Sequence, residues 1–226
     1  MNIKNIHYNK VEPLLNSCRC VKKKRERSVY CNDQYYYKIW VKNWTQGDIT
    51  KFAVDNGFYD EVTSPALQSL IYDESGQRGY IMAKGVNLNS QNNHRDWTDI
   101  VRQTSKKERY NFFLYLIEKS LLVSGLYLDL ASSNIVSYNN KLSLIDLESY
   151  GSFNFVFNGK KEWYEKFDLN AWWKPLDTAR RDLDLFYKDY LSQCLGINYN
   201  KTINSPEDIK NILNELKKLK ICSNAF

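Results

Sequence analysis

The sequence predicts an α+β chain: a small antiparallel β-sheet over residues 1–85, followed by a mostly helical part over 86–226. Three observations carry this. Residues 27–30 and 35–41 are rich in aromatic and β-branched side chains around a Cys31-Asn32-Asp33-Gln34 turn, and 67–72 and 78–83 repeat that composition around 73–77. Ser105-Lys106-Lys107-Glu108 is a capping box, and Phe112, Phe113, Leu116, Ile117 and Leu121 follow at helical spacing until Gly125. Finally, 135–138 and 141–145 have strand composition, and the Asn139-Asn140 pair between them tolerates the positive φ of a two-residue hairpin turn.

In chain order, residues 11–40 alternate and turn like strands, interrupted by the basic run Lys22-Lys23-Lys24-Arg25. Thr45 through Asp48 has capping-box character, with Ile49, Phe52 and Ala53 on one face of a helix that Gly57 stops. Pro65 ends an irregular stretch, and the polar segment 87–93 marks the boundary between two small lobes. Residues 149–174 have no clear period. Trp163, Trp172 and Trp173 cluster there with Lys160, Lys161 and Lys166, either as aromatic core filling or as a sugar-stacking, anion-binding wall. Residues 177–191 read as a helix with Leu183, Phe186, Tyr187 and Tyr190 inward, and Ser205-Pro206-Glu207-Asp208 opens a last amphipathic one.

A formal charge of +6 favours an anionic partner without naming it, and 43% hydrophobic with 15% aromatic residues suits a packed core. Five cysteines and a polar N-terminus predict free thiols in a reducing, cytoplasmic setting with no signal peptide. Cys18, Cys20 and Cys31 with His7 could compose a zinc site, but paired knuckle spacing is absent. No stretch is apolar over the ~18 residues a membrane span needs. Nucleic acid is not expected as a partner, because basic charge alone is weak support for it.

In the predicted hairpin register Tyr138 faces Lys141 and Ile135 faces Leu144, so Asn134 and Asp146 emerge at the open end, with Asp129 five residues before Asn134. Two carboxylates and an amide oxygen suit a hard divalent cation such as Mg²⁺, although three ordinary turn polars would give the same pattern. Asp129-Leu130 followed by Asn134, and Asp146 after the hairpin's second strand, resemble the motifs of the protein-kinase-like superfamily. Asp146-Leu147-Glu148 looks more like aminoglycoside- and choline-type phosphotransferases and lipopolysaccharide sugar kinases than like protein kinases.

The resemblance implies a two-lobed protein-kinase-like fold that uses ATP and Mg²⁺ to phosphorylate a hydroxyl of a small molecule or glycan. It implies Asp129 as the catalytic residue that orients the hydroxyl, with Asn134, Asp146 and Glu148 as metal ligands. Lys38, in Tyr36-Tyr37-Lys38-Ile39-Trp40, is similar to the strand lysine that meets the α- and β-phosphates, and a half-exposed surface lysine is the plain alternative. Asp48, Asp55 and Glu61 are candidates for its carboxylate partner, with Asp55 preferred. Met82 through Gly85 is similar to the hinge, so Met82 and Lys84 are expected to meet an adenine edge through their backbone. The departures are Tyr127-Leu128 in place of His-Arg, no Ala-Pro-Glu, and no glycine before Gly47 where a glycine-rich phosphate loop would lie. Those gaps keep two other readings open, a catalytically inactive pseudokinase-like scaffold and a protein kinase.

Overall fold

The computed structural model describes residues 3–41, 45–89, 93–123, 126–128, 131–147, 149–152, 156–157 and 176–222. They divide into two compact units, Met1–Val86 with Ser137–Leu147 and Asn87–Val136 with Glu148–Phe226. The segment 137–147, which carries Asp146, therefore clusters with the N-terminal part of the chain.

The first unit begins with β1 (Lys4–His7), α1 (Tyr8–Leu15), β2 (Arg19–Lys23), β3 (Arg27–Cys31) and β4 (Tyr35–Trp40). It continues with α2 (Thr45–Asp55), β5 (Leu67–Asp73) and β6 (Gly76–Ala83). Six strands form one sheet in the order β1-β5-β6-β4-β3-β2. The sheet is mixed rather than antiparallel throughout, because β1 lies parallel to β5 with Ile6 opposite Ile71. Residues 11–15, expected within a run of strands, belong instead to the helix α1. The Tyr8, Val11 and Leu15 spacing follows a helical period, and the His7 ring caps the helix by accepting from the Asn9 amide.

Alternation along the strands gives the sheet two unlike faces. Tyr37, Ile39, Ile71 and Ile81 point to one face and pack with Val11 of α1, with Tyr8 and Leu15 against the cluster. The β3–β4 turn is an Asx turn, in which Asn32 Oδ1 accepts from the amides of Gln34 (2.9 Å) and Tyr35 (2.8 Å). At the β5–β6 turn Asp73 accepts from the Ser75 amide at 2.7 Å and pairs with Arg78, whose guanidinium lies 4.5 Å over the Tyr8 ring. One half-buried ion pair thus joins the turn to α1.

The chain leaves through β7 (Val86–Asn87) into the second unit, where α3 (Thr98–Gln103) and α4 (Lys106–Leu122) follow. Ser105 caps α4 by accepting from the Glu108 amide at 3.1 Å, as the capping box predicts. Phe113 of α4 stacks on Tyr190 at 4.0 Å, and Tyr190 meets Trp97 edge-on at 4.8 Å. Arg109 is buried on the same helix and donates to the carbonyls of Cys194 (2.9 Å) and Val101 (3.1 Å). In this unit β8 (Leu126–Leu128) pairs antiparallel with a strand at Ser149–Ser152, with Leu128 opposite Ser149. The hairpin strands β9 (Ile135–Tyr138) and β10 (Lys141–Leu144), which belong to the first unit from Ser137 onward, are neighbours, and β11 is the Ser149–Ser152 strand of the second unit. Asn139 (φ 50°) and Asn140 (φ 58°) adopt the predicted turn. Two further helices close the unit, α5 (Leu176–Asp189) and α6 (Pro206–Cys222), and Tyr110 of α4 donates its hydroxyl to the Leu216 carbonyl of α6. No helix among the described residues is long and apolar enough to cross a membrane.

Two measurements test this frame. A Cβ on Gly79 would overlap the Lys38 carbonyl oxygen across the β4–β6 ladder, and its φ of +155° is one that side-chain-bearing residues rarely adopt. Gly79→Ala is therefore expected to lose more than about 1 kcal/mol in urea unfolding, and an unchanged midpoint contradicts the close approach. Burial would raise the Asp73 carboxyl, but the Ser75 and Arg78 hydrogen bonds outweigh it and hold Asp73 at about 2. Its stabilisation is complete above the unfolded value of roughly 3.9 and is lost as pH falls through the folded one. Asp73→Asn should start with a lower urea midpoint at neutral pH and show a shallower decline from pH ~4 downward than the wild type.

Candidate functional site

The site is built on β4, in the first unit. Tyr37 and Ile39 turn into the apolar cluster, so Lys38 between them projects from the opposite face. It lies opposite Val29 of β3 on one side and Tyr80 of β6 on the other. Its Nζ sits 5.6 Å from the Tyr80 ring centroid, within reach of the negative face of the ring, and Trp40 meets the same ring edge-on at 5.4 Å. The Lys38 side chain is only 9% exposed, and its ammonium donates to Asp146 Oδ1 at 2.7 Å. An ammonium this dry requires an opposite charge, and Asp146 supplies it.

Asp146 reaches Lys38 because the backbone on either side of it is tied down by buried groups of the same unit. The Ser143 hydroxyl accepts from the Ala66 amide at 3.2 Å, and the Leu144 amide donates to the Thr63 carbonyl at 2.9 Å. Ser64 Oγ donates to the Leu144 carbonyl at 2.6 Å. The Tyr80 hydroxyl donates to the Ile145 carbonyl at 3.1 Å and accepts from the Leu147 amide at 3.4 Å, so one phenol brackets Asp146. Thr50 (3.2 Å) and Tyr59 (2.9 Å) both donate to the Leu147 carbonyl. The Asp146 side chain itself stays 30% exposed, so a carboxylate held by its backbone remains reachable from solvent.

Lys38 and Asp146 are thus the predicted residues that the structure brings into contact. Asp55, preferred as the partner of Lys38, is exposed at the end of α2 and pairs with Lys51 one turn earlier, a local i,i+4 pair that needs no tertiary contact. At the residues expected to form the hinge, two backbone amides already have partners within the first unit. Met82 is buried within the β4–β6–β5 ladder, and the amides of Ala83 and Lys84 already donate to the carbonyls of Ala66 and Gln34 at 2.8 Å each. These two amides are occupied, so they are not open donors for an adenine edge; the Lys84 ammonium lies 5.5 Å over the Tyr36 ring. Asn134 belongs to the second unit, on a 3₁₀ turn (Ser132–Asn134), with its amide bonded to the Ala131 carbonyl at 2.9 Å. Asp129, Glu148, Trp163, Trp172, Trp173, Lys160, Lys161 and Lys166 lie outside the described residues, as does the Asp48 side chain. Cys18, Cys20, Cys31 and Cys194 are free thiols, and no group of three or more His, Cys, Asp or Glu among the described residues could hold a metal ion.

Sequence reasoning missed the anchors Thr50, Tyr59, Ser64 and Tyr80. A hydroxyl that donates to a carbonyl some 65–97 residues away reads locally like any other strand or loop residue. Removing the Tyr80 hydroxyl isolates its contribution. Tyr80→Phe is expected to lose about 1–3 kcal/mol in urea unfolding, since the Ile145 carbonyl and Leu147 amide lose their common partner; a loss below about 0.3 kcal/mol contradicts the bracketing.

No protein-family model and no curated protein matches the chain. Among solved structures it is similar to an apo pseudokinase at 11% identity and a TM-score of 0.46, covering 97% of each chain. It is similar to a GDP complex of an aminoglycoside 2′-phosphotransferase at 10% identity and a TM-score of 0.41, covering 95% of this chain and 97% of that one. A third likeness is to the kinase domain of PknI from Mycobacterium tuberculosis, at 13% identity and a TM-score of 0.36 over 88% of this chain and 94% of that one. At these identities and TM-scores the likenesses carry no functional argument, and the chemistry is argued from the chain's own residues.

Proposed function

We propose that this chain is a protein-kinase-like phosphotransferase that moves the γ-phosphoryl group of ATP, with Mg²⁺, to a hydroxyl of a small molecule or glycan. The observation that carries the reading is the 2.7 Å pair between Lys38 and the partly exposed Asp146. A buried ion pair is a poor stabilising device, since well-packed apolar residues of the same volume serve as well or better. Its retention is explained by ligand chemistry. The two charges match the two halves of a metal–nucleotide complex, a carboxylate oxygen for a hard cation and an ammonium for phosphate oxygens. When such a complex binds, each member of the pair exchanges its partner for an equivalent charge, and neither is left buried alone.

Bound Mg²⁺ would supply neutralisation of the charge on the transferring phosphoryl group. Asp146 suits it, being an oxygen donor held by its backbone with its side chain reachable. On the sequence motif, Asn134 and Glu148 share that task, and Asp129 orients the acceptor hydroxyl. Asp146-Leu147-Glu148 and the missing Ala-Pro-Glu favour a small acceptor over a protein substrate.

A second reading, a pseudokinase-like scaffold that binds without turnover, is favoured by one specific observation, the absence of any glycine before Gly47. Incubation with labelled ATP, Mg²⁺ and a panel of sugars, lipopolysaccharide fragments, aminoglycosides and generic proteins separates the two. A phosphotransferase labels at least one acceptor, and Asp146→Asn and Lys38→Ala each reduce labelling by at least about 100-fold. Labelling by Asp146→Asn at the wild-type rate would sink the site assignment. A thermal shift with MgATP in the absence of any labelling supports the scaffold.

A further inference from the structure

We propose that Lys22 is a binding residue for the outer phosphates of a nucleoside triphosphate, reaching them from the same cross-strand row as Lys38. The inference rests on the nucleotide reading above and adds a residue to it. In antiparallel pairing, residues directly opposite each other project from one face of the sheet. Lys22 is opposite Val29, Val29 is opposite Lys38, and Lys38 is opposite Tyr80, so the four make a row on the face turned away from the α1 cluster. Two strand spacings separate Lys22 from Lys38, about 10 Å.

Lys22 owes its place in that row to a register shift. Cys20 is opposite Tyr30 and the pairing shifts between Cys20 and Lys22, so Val21 is passed over. Without the shift Val21 would face Val29 and Lys22 would move to the opposite face. The irregularity therefore re-aims one lysine of a basic run. Lys23 is opposite Ser28, Ser28 opposite Ile39, and Ile39 opposite Gly79, a row belonging to the α1 face. Lys24 and Arg25 stand in the turn, closed by the Lys24 amide on the Arg27 carbonyl at 2.8 Å.

The chemistry of the two lysines in the row is complementary. Lys38 is buried and already meets a carboxylate, whereas Lys22 is exposed, and no ion pair among the described residues engages it. Its methylenes can lie along Val29 while the ammonium stays in water. With no glycine in β2, β3 or the turn between them, close backbone approach to a phosphate is sterically hindered, and a side-chain cation supplies the charge that backbone amides would otherwise provide.

Lys23→Ala is the charge-matched control for Lys22→Ala, since both remove one exposed cation from the same strand. The full chain and both variants are titrated calorimetrically with MgATP, inorganic tripolyphosphate and adenosine, with circular dichroism melts verifying the fold. Lys22→Ala is expected to weaken MgATP and tripolyphosphate by about tenfold and leave adenosine unchanged, with Lys23→Ala within about twofold of wild type and Lys22→Arg restoring affinity. Equal weakening by Lys22→Ala and Lys23→Ala overturns the assignment to one residue, and no weakening by either overturns the phosphate contact, both while leaving the nucleotide reading in place. Wild-type binding of tripolyphosphate that depends on Lys22, without binding of MgATP, retains the anion site and overturns the nucleotide reading. Absence of both ligands from the wild type overturns both.

Discussion

The constraint on which the first unit depends is the anchoring of residues 143–147 by buried hydroxyls from distant parts of the chain. Backbone carbonyls and amides buried in an apolar setting must find partners. Here Ser64, Tyr80, Thr50 and Tyr59 satisfy the carbonyls of Leu144, Ile145 and Leu147. Each bond is worth little net, but leaving a buried carbonyl without one costs considerably more, so alternative paths for the segment are strongly disfavoured. The consequence is positional: Asp146 has little freedom, and its carboxylate meets the Lys38 ammonium.

The sheet beneath that contact performs two unlike tasks on its two faces. One is filled by Tyr37, Ile39, Ile71 and Ile81 under α1 and supplies burial. The other carries Lys38, Tyr80 and Trp40, with the ammonium over the Tyr80 ring and Trp40 edge-on to that same ring. Gly79 links the two tasks. Its lack of a side chain lets β6 approach β4 at the Lys38 carbonyl, and that approach seats Tyr80 beside the ammonium. The Asp146 carboxylate meets that ammonium while part of its surface stays open to water.

Much of the fold was legible because it is written in local signals. The Asn139-Asn140 turn, the Ser105 cap with its apolar stripe and the strands of β3 to β6 follow from φ preferences, capping chemistry and two-residue alternation. Helix α1 was obscured by Pro13 and by the polar residues Asn9, Lys10 and Glu12 among its apolar positions. The parallel strand β1 was missed because its polar, four-residue stretch acquires a partner only once β5 is in place. Asp55 looked like a partner for Lys38, but a helical lysine one turn away satisfies it. The Lys84 amide is engaged by the carbonyl of Gln34 in the β3–β4 turn, a partner that local sequence does not disclose.

Residue types and their order by themselves determined the α+β class and the hairpin, because steric preference and periodicity act over a few residues; Lys38 and Asp146 stood out through the resemblance of their surroundings to known motifs. Only the tertiary structure decided that these two side chains meet, that four hydroxyls hold the acidic one in place, and that Lys22 rather than Lys23 shares the row of Lys38. Those outcomes depend on register and on contacts between residues as far as 108 positions apart, and strand register is set by all partners of a sheet together.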